Sequence, residues 1–183
     1  MTQAFEQCFK KLLGVEGDFS DHPNDLGGAT RWGITEAVAR SSGWHGPMRE
    51  LPVEVAMRIA RAAYWDPLYL DDIAIVSSVD IAYELFDTGY NMGPGWAIHF
   101  LQRALNALNS QQRFYFDIAV DDKSGPRTVS ALEKYVQTRH DAGLIVLLKM
   151  LNCMQGERYI RLAESREKNE DFVYGWFQHR VTL

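Results

Sequence analysis

The sequence predicts a mainly α fold of α+β type, a helical bundle that carries one small β-hairpin. Three observations predict it. Apolar residues recur at helical spacing in most segments between Phe5 and Trp176. A single stretch, residues 16–35, breaks that spacing with paired turn residues and reads EGDFSDHPNDLGGATRWGIT. The composition supplies an interior, since 46% of the 183 residues are hydrophobic and no repeat or low-complexity tract interrupts them.

The first element is an amphipathic helix in which Phe5, Cys8, Phe9, Leu12 and Leu13 recur at i, i+3, i+4, i+7 and i+8. Glu16 extends the same stripe, and Gly17 offers a C-terminal stop. A carboxyl group pressed against apolar side chains has its charged form disfavoured and its pKa raised, the condition for a general acid near neutral pH. Ser20, Asp21, Pro23, Asn24 and Asp25 then give turn chemistry, and Gly27 and Gly28 supply positive φ or close backbone approach for a hairpin running on to Thr35. The hairpin returns a second carboxylate, Asp25, and a hydroxyl, Thr30, toward the end of the helix. Two carboxyls in unlike surroundings, one apolar and one polar, suit glycosidic bond cleavage.

Residues 43–52 form a loop, and Pro52 opens a helix with Val53, Met57, Ala60 and Tyr64 on one stripe, ending near Trp65-Asp66-Pro67. Ser78 caps the next helix, whose face carries Val79, Ala82, Phe86 and Gly89. A helix with Ile98, Leu101, Leu105 and Leu108 inward follows the break at Tyr90-Asn91-Met92-Gly93-Pro94. Residues 109–125 are turn-like around a strand expected at Phe114–Val120. Pro126 begins a helix with Val129, Leu132 and Val136. A long apolar helix from about Asp141 to Ala163 is expected to be the buried one, and a short last helix carries Phe172, Trp176 and His179.

A formal net charge of −5 without a basic stripe argues against nucleic-acid binding. The longest apolar run, Leu144 to Met154, contains Lys149 and Asn152 and is too short to span a bilayer, so no membrane insertion is expected. The N-terminus lacks the order of a signal peptide, which places the chain in the cytoplasm. Cys8 and Cys153 each fall in a helical stripe and read as buried free thiols. The histidines show no metal-ligand spacing, and His22 beside Asp21 and Asp25 reads as a surface turn residue; no metal or other cofactor is expected.

The motif Glu16-Gly17-Asp18-Phe19 followed by Asp25-Leu26-Gly27-Gly28-Ala29-Thr30-Arg31-Trp32-Gly33-Ile34 resembles the signature of the N-acetylmuramidases of glycoside hydrolase family 108. The resemblance implies a lysozyme-like fold and Glu16 as catalytic acid. It is also similar to the Glu, Asp, Thr triad of phage-type lysozymes, although only four residues stand between Asp25 and Thr30 where that triad has five. Asp18 stands where the motif has a second glycine. The family's Asn-x-Gly and Leu-Gln elements match Asn91-Met92-Gly93 and Leu101-Gln102. Its peptidoglycan-binding half matches Val120-Asp121-Asp122-Lys123-Ser124-Gly125-Pro126-Arg127-Thr128 and Gly175-Trp176, with Asp122 in place of a glycine.

The resemblance therefore implies a catalytic lobe over residues 1–95 and a peptidoglycan-binding-like lobe over 96–183, packed as one unit. The expected activity is that of an endolysin cleaving the β-1,4 bond between N-acetylmuramic acid and N-acetylglucosamine, working as a monomer on bacterial peptidoglycan and held in the host cytoplasm until released. Asp25 supports the developing positive charge or places water with Thr30, and Tyr90 and Asn91 are candidate sugar-binding residues. Trp32, Tyr64, Trp65 and Trp96 offer further stacking faces that serve equally as core. A non-catalytic wall-binding or secretion-assisting protein and a lytic transglycosylase are the alternatives.

Overall fold

The first apolar stripe folds as α1, Gln3–Val15, in a computed structural model that describes residues 1–15, 19–20 and 28–182. Phe5, Cys8, Phe9 and Leu12 are buried as the spacing predicts. Phe5 meets Trp65 and Phe86 edge-on, with ring centroids 5.2 and 6.0 Å away. Such pairs contribute about 0.5–1.5 kcal/mol each beyond the area they bury.

The expected single hairpin is a three-stranded antiparallel sheet of β1 (Phe19–Ser20), β2 (Thr30–Arg31) and β3 (Ile34–Thr35), in that order. Phe19 faces Arg31 and Ser20 faces Thr30; Thr30 and Arg31 face Thr35 and Ile34. The tight turn joins β2 to β3 through Trp32 and Gly33, both left-handed at φ 54° and 73°. This two-residue arrangement is that of a type I′ hairpin, whose twist matches its strands. Gly28, at φ 68°, does use positive φ as expected, whereas Gly27 lies outside the described residues.

Thr35 ends β3 and caps α2, Glu36–Ser41, accepting a hydrogen bond from the Val38 amide. After the expected loop, α3 (Val53–Ala60) starts behind Pro52, widens into a π turn over Arg61–Trp65 and tightens into a 3-10 turn at Asp66–Leu68. α4 (Leu70–Val76) and α5 (Val79–Met92) follow, and the Ser78 hydroxyl caps α5 by accepting from the Ile81 amide at 3.2 Å. α5 is the central helix: every residue from Glu84 to Tyr90 is buried, and α1, α4, α6 and α7 pack around it. α6 is Pro94–Leu108, α7 is Pro126–Ser165 and α8 is Glu170–His179. Pro94 and Pro126 each open a helix, where the missing N–H costs nothing.

Four expectations are corrected. Phe114–Val120 forms no strand, because side chains satisfy its backbone. Asn106 donates to the Ile118 carbonyl and accepts from its amide, at 2.8 and 2.9 Å. The helix from Asp141 is the second arm of α7, which breaks at His140 (φ 52°, ψ −150°), and it is not the buried helix. One face turns inward, with Leu147, Leu151, Asn152, Gln155 and Tyr159 buried, while Ile145, Val146 and Ile160 are exposed. Cys153 is exposed because it lies about 200° around the helix from Leu151. Val79, placed inward on α5, is also exposed.

Candidate functional site

The expected site is flanked by the sheet and the C-terminal end of α5, which the hydrogen bond from Tyr90 to Trp32 joins. The two carboxylates expected to carry chemistry, Glu16 and Asp25, lie outside the described residues, as do Asp18 and His22. In sequence Glu16 follows directly on Val15, the last residue of α1, and Asp25 falls between β1 and β2.

Thr30 is half-buried on β2, and its hydroxyl donates to the Gly28 carbonyl at 3.1 Å. Beside it, Trp32 holds a left-handed backbone that costs an L-residue about 1–2 kcal/mol. Two hydrogen bonds offset that cost: its indole N–H donates to the Leu51 carbonyl at 2.9 Å, and its own carbonyl accepts from the Tyr90 hydroxyl at 2.8 Å. The sheet is thereby tied to the loop before α3 on one side and to α5 on the other.

Tyr90 is buried, with Tyr64 and Phe86 ring centroids 4.7 and 5.5 Å from its own. Its hydroxyl anchors the hairpin, and its ring belongs to the core. Burial also pushes the Tyr64 hydroxyl up from its ordinary pKa. Asn91 is exposed one residue further on, its amide donating to the Asp87 carbonyl within the helix at 3.2 Å. Trp65 is core, its indole bonded to Asp71 at 2.9 Å.

Two cations flank the sheet: the Arg49 guanidinium lies 3.9 Å from the Phe19 ring centroid and that of Arg31 lies 5.1 Å from the Trp32 ring. Sequence reasoning passed over Arg49 and the anchoring role of Trp32. The Trp-Gly dipeptide between short alternating runs was the available signal for the latter. Among the described residues no group of three or more His, Cys, Asp or Glu is placed to hold a metal ion.

A second ordered element lies in the other half. Gln102, buried on α6, reaches into the loop before α7. Its amide donates to Asp121 Oδ1 at 2.8 Å and the Lys123 carbonyl at 3.0 Å, and its oxygen accepts from the Asp121 and Asp122 amides at 3.0 and 3.1 Å. The two sequence elements Leu101-Gln102 and Val120–Thr128 are therefore one structural unit.

Residues 9–93 match the family described as Glycosyl hydrolase 108, which marks the chain as a glycoside hydrolase, and residues 96–181 match the family described as Predicted Peptidoglycan domain. The solved structure of Brucella abortus SagA superposes with a TM-score of 0.70 at 22% identity, covering 95% of this chain and 87% of that one, a likeness of fold. No curated protein matches the chain.

Proposed function

We propose that the protein is a peptidoglycan hydrolase that cleaves the β-1,4 bond between N-acetylmuramic acid and N-acetylglucosamine. One observation carries the reading: a glycosyl hydrolase 108 region and a predicted peptidoglycan domain occupy 9–93 and 96–181 of a single chain. The proposal includes a division into lobes near residue 95.

In this reading Glu16, following directly on α1, protonates the glycosidic oxygen. Asp25, ionised among polar turn residues, supports the oxocarbenium-like transition state or, with Thr30, places the attacking water. The sheet that carries Thr30 supports these roles by being fastened to α5 through Tyr90, next to the exposed Asn91, a residue type that can bond a sugar amide. Asp25→Asn is expected to cost less activity than Glu16→Gln; an equal loss reverses the ranking of the two carboxylates.

The wider role proposed is that of an endolysin. Among the described residues no helix is long and apolar enough to cross a membrane, and a separate lysis pore would release the enzyme. Finding the protein in the periplasm of cells that express it alone contradicts that route.

The test is digestion of purified peptidoglycan followed by mass spectrometry of the soluble fragments. Fragments ending in reducing N-acetylmuramic acid are expected. Anhydro ends mark a lytic transglycosylase instead, reducing N-acetylglucosamine ends mark the other glycosidic bond, and no fragments at all contradict the enzymatic reading.

A further inference from the structure

Along one face of α5, Asp80, Glu84 and Asp87 recur at i, i+4 and i+7. Glu84 and Asp87 are buried, at 4% and 1% exposure. Asp87 is engaged on both oxygens: Arg180 donates to Oδ1 at 2.5 Å and Gln155 to Oδ2 at 3.1 Å. Glu84 Oε1 has no hydrogen-bond partner among the described residues. A buried polar atom left without a partner costs about 1–3 kcal/mol, which the fold bears here at a carboxyl group.

Glu84 lines a cavity of about 120 Å³. The cavity sits where α1, α5, α7 and the C-terminal residues 179–182 meet, with Lys11, Tyr83, Leu148, Arg180 and Thr182 among its walls. The C-terminal segment is seated by two anchors. Arg180 pairs with Asp87, and Asn152 Oδ1 of α7 accepts from the Thr182 amide and hydroxyl at 2.7 and 3.3 Å.

We propose that this cavity is a proton-controlled latch: neutral Glu84 keeps residues 179–182 seated on α5, and ionised Glu84 loosens them. The charges around Glu84 give the reason. α1 contributes Lys11; α5 contributes Asp80, Tyr83 and Asp87; the C-terminal segment contributes His179 and Arg180. α7 contributes Leu148, Asn152 and Gln155, which carry no charge. With Glu84 neutral, the cations Lys11 and Arg180 match the anions Asp80 and Asp87. An ionised Glu84 adds a buried negative charge beside Asp87, whose partner Arg180 is already engaged, and unseating the segment admits the water that solvates it. A glutamine would fill the same volume with no proton to lose.

Burial, then the neighbouring Asp87 carboxylate, push the Glu84 carboxyl from 4.5 up to about 8, while the Asn152 amide and Lys11 pull it down. The closed state thus binds the proton more tightly than the open one. Seating on this account is strongest below the ordinary carboxyl pKa, weakens as pH rises from there, and levels off above about 8, where the closed form ionises as well. Inside that window the opening constant approaches a tenfold rise per pH unit.

The experiment is hydrogen exchange of the Arg180 and Thr182 amides in the full chain from pH 5 to 9, corrected for the intrinsic pH dependence of exchange. The latch predicts an opening constant that climbs to about pH 8 and then flattens in the natural protein, and a flat profile in Glu84→Gln. A flat profile in the natural protein, or the same slope in Glu84→Gln, overturns it. Carboxyl-carbon NMR of the natural protein reads Glu84 without any substitution: a midpoint near the break in the exchange profile supports the latch, and one in the ordinary carboxylate range overturns it.

Discussion

Gln102 illustrates how one side chain can define a loop. Both ends of its buried amide are committed to residues 121–123, and the nitrogen also lies 3.4 Å from the Thr128 hydroxyl, so it stands in for the partner strand that this segment lacks. Gln102→Ala removes four hydrogen bonds worth a net of about 0.5–1.5 kcal/mol each, so a loss of about 3 kcal/mol in unfolding free energy is expected. Denaturant titration checks it, and a change below about 0.5 kcal/mol contradicts the role, being the range of an ordinary surface substitution. Asp122 beside it is left-handed at φ 64°, the conformation for which the family resemblance has glycine. Its carboxylate lies within hydrogen-bond distance of the His99 ring at 2.8 Å, a partly exposed contact that contributes little. Asp122→Val is therefore expected to lower the melting temperature more than Asp122→Gly, and the reverse order refutes the backbone argument.

At the scale of elements, local signals account for what was legible and long-range pairs for what was not. Helix starts at Val53, Val79, Pro94 and Pro126 follow from the preceding proline, the Ser78 cap, or proline at the first helical position. The motif residues were visible because they lie within one short stretch. The bonds that assemble the site are not local: Tyr90 to Trp32 spans 58 positions, and Gln102 to Asp121 spans 19. Phe114–Val120 misled for a related reason, since its apolar residues suit a strand but the Ile118 backbone groups are taken by Asn106 of α6 and the Asp117 amide by Gln112. The hairpin's anchorage yields its own prediction. Tyr90→Phe keeps the ring packing and removes one hydrogen bond to the Trp32 carbonyl, so stability falls by about 1 kcal/mol. Activity on peptidoglycan falls with it, because the strand that carries Thr30 loses its tie to α5; unchanged activity separates the anchor from the chemistry.

Over the whole molecule, the helix expected to be buried and the helix that is buried differ for a topological reason. The second arm of α7 is apolar in composition yet covers one side of α5 only, whereas α5, with Glu84, Asp87 and Thr88 along it, is enclosed by neighbours on every side. Buried polar residues are affordable there because α7 and the C-terminal segment answer them with Gln155 and Arg180, the latter 93 positions away. Seams of this kind join the region that matches Glycosyl hydrolase 108 to the one that matches Predicted Peptidoglycan domain, and α5 lies in the first of these with Asn91 near its end.

The proposed chemistry rests on the acid at Glu16. The direct measurement is the release of reducing ends from purified peptidoglycan by the natural protein and by Glu16→Gln, with circular dichroism and melting temperature recorded for both. A positioned general acid contributes about 10²–10⁴-fold, so a loss of that size with unchanged folding is the predicted result. Activity within a few-fold of the natural protein contradicts the account.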